Sequence, residues 1–303
     1  MTLDERIERD LTDLYNGGSI DGEISEAKKL QGVIAAELSA KGMPGHFTGN
    51  RQAKTVFVTL NPGQNAYDKK GKNGVILGAD NPASVVNEIK KLRIITSSLE
   101  DFIESYKKGK TNYGVLAHNK KDPNKKDPFD LKQAAFFKSW KNSGINIPID
   151  FPVNKSIYET ATKEVLMNKL QLELIPYCSN NFRMSQKEKI YPYIETLFEE
   201  IFSREREYVV FASKIFEMLF KDEDKIKTIG AEIKFVTKQY PPSPLTKNDG
   251  TPAKTKFNCT IIKIKYKGKE QKALIAPTFF KQGIAGNLLC QYGDFCYNEY
   301  IKA

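Results

Sequence analysis

Val56-Phe57-Val58-Thr59-Leu60 is a nearly unbroken apolar run, and it opens directly onto Asn61-Pro62-Gly63-Gln64-Asn65-Ala66-Tyr67. The side chains after the run are suited to positional chemistry. An Asn amide oxygen orients a water but takes no proton, Gln and Asn read polar edges by paired donors and acceptors, and a Tyr ring stacks on a planar group. An apolar run of this length fits a strand covered on both faces, as in the middle of a parallel sheet. Pro62 cannot continue a ladder and Gly63 tolerates a left-handed backbone, so the strand must end there. Ligands of open α/β sheets bind beyond the carboxyl ends of the strands, where Asn61, Gln64, Asn65 and Tyr67 fall. An ordinary Asn- and Gly-rich turn satisfies the same letters, and both readings stand at this point.

Other chemistry-bearing residues are sparse. The two histidines are His46 and His118, and His46 lies in the turn-rich loop 43–50, close in sequence to Asn61. The four cysteines, Cys178, Cys259, Cys290 and Cys296, lack knuckle spacing, so neither a metal nor a cofactor is expected, and a reduced cytoplasm fits. Lys and Arg number 47 against 37 acids, a net charge of +10 that favours a polyanionic partner without specifying a sequence. No apolar run approaches the ~20 residues that cross a bilayer, and the acidic start Met1-Thr2-Leu3-Asp4-Glu5 does not read as a secretory signal. Gly-x-Ser-x-Gly and a Gly-rich phosphate loop are both missing, which argues against an unrelated α/β hydrolase or nucleotide-binding enzyme.

The elements that position these residues follow from periodicity. Residues 3–15 and 23–41 read as one-faced helices, the latter ending at Gly42, and 1–44 forms a helical lead-in. A helix is expected over 83–107, then a basic insertion at 107–128 that alternates Lys with Asp and Pro. Helices follow at 129–142, where Phe136, Phe137 and Trp140 cluster, and at 156–169. Strand 170–179, helix 186–203, strand 208–212 and helix 214–221 come next. Strands at 233–237, 259–266 and 271–276 make a β-rich appendage (231–276) with a tight turn at Lys267-Gly268-Lys269, and a tail helix covers 283–300. The alternation predicts a single α/β domain over 1–303: three layers, α/β/α, with a short, mostly parallel central sheet and an antiparallel C-terminal appendage.

Four strand ends then line up: Asn61-Pro62-Gly63, Pro176-Tyr177-Cys178-Ser179, Ala212-Ser213-Lys214 and Ala276-Pro277-Thr278-Phe279. With Asn-Pro-Gly after its first sheet strand, the chain resembles the uracil-DNA glycosylase superfamily, in particular the thymine- and mismatch-directed branch. The likeness covers roughly residues 45–300 in element order, and only the first motif is close in letters. The second motif, His-Pro-Ser or Asn-Pro-Ser in that family, has two competing positions: 276–280, favoured by its place after the last strand, and 242–245, which has the wording Pro-Ser-Pro-Leu. Ala276 departs from the pattern where the family carries the polar group that steadies the leaving base.

The resemblance implies a DNA glycosylase acting on a modified or mismatched base, with DNA as partner, acting as a monomer without membrane or metal. Asn61 would hold the water, and Thr278, Lys281 or Gln282 would substitute for the missing donor. Gly63, where the strict uracil enzymes carry a bulky Tyr, leaves room for a C5 substituent. Gln64, Tyr67, Tyr177 and Ser179 would bind the base. His46, Phe279 and Lys281 would touch DNA, with Phe279 or Leu245 as a wedge. A non-catalytic relative that binds nucleic acid or a nucleotide is the alternative.

Overall fold

The computed structural model describes residues 1–16, 24–36, 44–60, 98–107, 128–145, 167–177, 179, 182–247, 249–279 and 286–303. Its strands are β1 (Phe47–Gly49), β2 (Thr55–Thr59), β3 (Lys169–Glu173), β4 (Tyr208–Phe211), β5 (Ala231–Gln239), β6 (Cys259–Tyr266) and β7 (Lys269–Ile275). They form one mixed sheet of seven strands in the order β1-β3-β2-β4-β7-β6-β5. β2, β4 and β7 run parallel, while β5, β6 and β7 form antiparallel pairs. The architecture is α/β, as the alternation of elements predicts.

The chain divides into two compact units. The first holds residues 1–48, 60–125 and 172–200. Its helix α1 (Leu3–Asn16) begins with a capping box: the Glu5 amide donates to Thr2 Oγ1 at 3.2 Å and the Thr2 amide donates to Glu5 Oε2 at 2.8 Å. Leu3, Ile7 and Leu11 form the buried stripe of α1. The expected helix 23–41 is interrupted after α2 (Ser25–Lys28), where Gly32 takes φ +94° and the chain turns through 29–34; residues 37–41 lie outside the described residues. Residues 44–49, expected as loop, end in the short strand β1. Of helix 83–107 the described part is α3 (Leu99–Lys107). The remainder of that helix, residues 108–127 of the basic insertion 107–128, and residues 156–166 lie outside the described residues. Helix α5 (Tyr191–Phe202) contributes its first turns here, after a short 3₁₀ turn at Lys187–Lys189.

The second unit holds residues 49–59, 126–171 and 201–303. Helices α4 (Pro128–Phe137) and α8 (Gly286–Lys302) meet over a core that includes Phe57, Phe136, Phe137, Trp140, Val210, Leu274 and Tyr292. The Phe136-Phe137-Trp140 cluster is therefore packing, not an exposed stacking surface. α4 and α8 pack with almost no gap: a Cβ on Gly293 would stand 1.8 Å from the Phe136 carbonyl oxygen, and Trp140 Nε1 donates to the Gly293 carbonyl at 3.0 Å. Helix α6 (Lys214–Phe220) is capped by Ser213, whose Oγ accepts from the Ile215 amide. Helix α7 (Glu223–Thr228), absent from the sequence reading, is capped by Asp222. At the amino end of β3, Lys169 is buried with its ammonium on Gln133 Oε1 and on Gln171 Oε1 (3.0 Å).

Candidate functional site

Chain order places a switch point in the sheet. From β2 the chain passes to β3 on one side and then to β4 on the other, so the connections diverge at the β2–β4 pair. Such a switch point leaves an opening at the carboxyl ends of the two strands. The parallel ladder continues past the strand ends, with the Ala212 amide on the Val58 carbonyl (2.9 Å) and the Ala276 amide on the Phe211 carbonyl (2.8 Å). Thr59, Ser213 and the segment from Ala276 to Thr278 therefore share one edge of the sheet in the second unit.

Asn61 follows Leu60 directly, and within the first unit Leu60 is held from one side: its carbonyl accepts from the Ile175 amide at 2.8 Å. The segment after β3 is tied on its other side to the residues before β1. The Glu173 amide donates to the His46 carbonyl (3.3 Å) and the Gly45 amide to the Pro176 carbonyl (2.6 Å). A buried polar network fastens this arrangement to α1. Asp10 is fully buried, and its Oδ2 accepts from the Tyr177 hydroxyl at 2.8 Å and lies 3.1 Å from His46 Nε2. Its Oδ1 accepts from Arg9, which is 3.3 Å from the Tyr177 hydroxyl and 3.4 Å from Glu26. Arg6 lies over the Tyr193 ring and donates to Thr196 Oγ1 at 2.6 Å. The Tyr106 hydroxyl accepts from the His46 amide at 3.1 Å and donates to the Pro44 carbonyl at 2.6 Å.

The charges in this network follow from burial and donors. Burial alone would push the Asp10 carboxyl up, but His46, Arg9 and the Tyr177 hydroxyl together hold it below its ordinary value. Burial pushes the His46 imidazole below its ordinary value, helped by the Arg6 and Arg9 charges and opposed by Asp10. At neutral pH the pair is a carboxylate beside a neutral ring. Burial first, then the Asp10 charge, raises the Tyr177 phenol well above its ordinary range, so it stays a donor. Chemically this is a fixed carboxylate–imidazole–phenol array that sets the segment beside Leu60.

His46, expected to touch DNA, is 2% exposed and sits against Asp10. Tyr177 is fully buried with its hydroxyl committed to Asp10, so it has no edge left to read a base. Ser179 is buried and its Oγ accepts from the Ala35 amide at 3.2 Å. Phe279, expected as a wedge, is fully buried and packs edge-on against Phe57 and Phe136. An apolar ring next to the α4–α8 core gains more by burial than at the surface. Leu245 also packs against that core. Thr278 is buried beyond β7, and its Oγ1 meets no hydrogen-bond partner among the described residues. Asn61, Gly63, Gln64, Tyr67 and Lys281 lie outside the described residues.

Sequence reasoning missed Asp10 and Arg6. The signal was present: they stand four apart on α1, flanking the stripe of Leu3, Ile7 and Leu11, so a polar pair was bound to turn inward. Among the described residues no group of three or more His, Cys, Asp or Glu is placed to hold a metal, and no helix is long and apolar enough to cross a membrane. Comparison with protein-family models, with curated proteins and with solved structures returns no match.

Proposed function

We propose that this chain is a DNA glycosylase that hydrolyses the N-glycosidic bond of a modified or mismatched base, with a C5-substituted pyrimidine as the favoured class. The observation that carries the reading is the switch point at β2 and β4, because in sequence Asn-Pro-Gly follows β2, whose carboxyl end lies on the edge where α/β sheets bind ligands. Cleavage builds an oxocarbenium-like sugar and an anionic base, so the site needs a held water and donors near the base. In this reading the Asn61 amide oxygen orients the water, Gly63 leaves room at C5, Tyr67 stacks on the extruded base and Gln64 reads its edge. Thr278, whose hydroxyl is buried just past β7 on the edge it shares with Ser213 and Thr59, is in this reading the donor to the leaving base.

The test is incubation of duplex and single-stranded DNA carrying assorted modified and mismatched pyrimidines, followed by alkali to reveal abasic sites. Asn61→Ala is expected to abolish base release with little change in fold or DNA affinity. Base release at the unaltered rate by that variant removes Asn61 from the mechanism.

A second reading, a non-catalytic relative that binds nucleic acid, is favoured by one observation. Ala276 stands where a polar group is needed, and it is fully buried in the aromatic core. DNA binding that falls steeply with salt, with no abasic product from any base, selects this reading.

A further inference from the structure

The link between β5 and β6 folds back on itself through residues 245–247 and 249–253. Thr246 bridges Pro252, the Ala253 amide donates to the Leu245 carbonyl (2.7 Å), and the Lys247 amide donates to the Thr251 carbonyl (2.9 Å). Helix α8 grips it. Gln291 Nε2 donates to the Thr246 carbonyl at 2.8 Å, Gln291 Oε1 accepts from the Thr246 amide at 3.0 Å, and Leu245 and Ala253 rest on the core. Pro241, Pro242 and Pro244 stiffen the approach by fixing φ.

Topology puts this hairpin on the edge that carries the switch point. β5 is antiparallel to β6 and β6 to β7, so the carboxyl ends of β5 and β7 point the same way as those of β4 and β2. Gln239 pairs with Cys259, and Thr260 with Ile275, so the link leaves the sheet level with the end of β7. Three strand spacings separate β4 from β5, about 14 Å at ~4.8 Å each. At about 3.4 Å per phosphate along one strand, that is roughly four nucleotides.

Lys247, Lys254 and Lys256 are exposed on the hairpin and its return, and among the described residues none forms an ion pair. The neighbouring acid, Asp249, is turned to Thr251, accepting from its amide (2.9 Å) and hydroxyl (2.6 Å). Asp249 offsets part of the Lys247 charge, leaving the three lysines and this one carboxylate a net positive cluster, and Gln291 ties the hairpin to α8. We propose that this hairpin, through Lys247, Lys254 and Lys256, is a phosphate clamp that holds the nucleic-acid backbone at the sheet edge shared by the carboxyl ends of β4 and β2. The assignment rests on the nucleic-acid reading above, but not on catalysis.

The experiment compares the full chain with two triple variants of equal charge change. One is Lys247→Ala/Lys254→Ala/Lys256→Ala. The other is Lys225→Ala/Lys227→Ala/Lys265→Ala, which alters α7 and the opposite end of β6. Binding to a fluorescently labelled duplex is followed by anisotropy between about 50 and 200 mM salt. The clamp variant is expected to reduce the slope of log affinity against log salt by about 3, near 0.9 per lost contact, while the control keeps most of the slope. Thermal melts of both variants check that the fold is intact. Equal slopes for the two variants overturn the clamp, as does loss of affinity for anionic phospholipid vesicles with DNA binding untouched. If the clamp variant loses its slope but the unaltered chain releases no base, the clamp stands and the glycosylase reading fails. If base release is seen and the slopes are equal, the reverse holds.

Discussion

The Asp10–His46–Tyr177 array carries the strongest residue-level expectations. Tyr177→Phe removes a hydroxyl that donates to a buried carboxylate and faces Arg9, leaving both with one partner fewer. The loss should be about 1–3 kcal/mol, read from urea unfolding at neutral pH. The pH dependence follows from the two depressed groups. His46 titrates below its ordinary 6.5 in the folded chain, so the unfolded chain binds the extra proton first. Its contribution is complete above about 6.5 and falls as pH drops toward the folded value. Asp10, depressed from 3.8, adds a second loss at lower pH. Unfolding free energy should therefore be level above neutrality and decline from about pH 6.5 downward. His46→Gln should remove the first decline but keep the second. A curve of the same shape in that variant would dissociate His46 from the effect. His46 was visible in the sequence as a loop histidine, but its partner was not. Asp10 lies on a helix far earlier in the chain, and only the tertiary fold brings the two within 3.1 Å.

Among the elements, the α4–α8 contact is the most exposed to a single atom. Gly293 has an ordinary helical backbone, so its requirement is one of space: the Phe136 carbonyl occupies the position of a Cβ. Gly293→Ala must push the two helices apart and break the Trp140–Gly293 hydrogen bond, at a cost of about 3 kcal/mol or more. Urea midpoint and the near-ultraviolet signal of the one tryptophan report it. A loss below about 1 kcal/mol would mean the helices yield at no cost. Strands were the legible elements. β6 matches the expected 259–266, and the apolar run 56–60 became β2, buried at every position. Helix 23–41 was misread because periodicity is blind to Gly32, where the backbone needs a left-handed turn.

At the scale of the whole chain, the charge of +10 sets a field that attracts any polyanion, and it reads no sequence. If the proposed glycosylase reading holds, DNA of random sequence should bind at low salt nearly as well as DNA containing a modified base, with discrimination appearing at base release. Log affinity should fall linearly with log salt. Competition binding at about 50 and 200 mM salt checks this, and a salt-independent affinity would rule out a backbone-driven encounter.

Composition and periodicity by themselves determined the α/β class, the central buried strand and the antiparallel end, because these are local properties of alternation and apolar run length. Only the tertiary structure decided which strand ends share an edge, that Phe279 is core and not wedge, and that Asp10 holds His46 and Tyr177. Those outcomes depend on strand order and on contacts between distant segments, where the free energy of burying an aromatic ring or pairing a carboxylate overrides what a short stretch of sequence prefers.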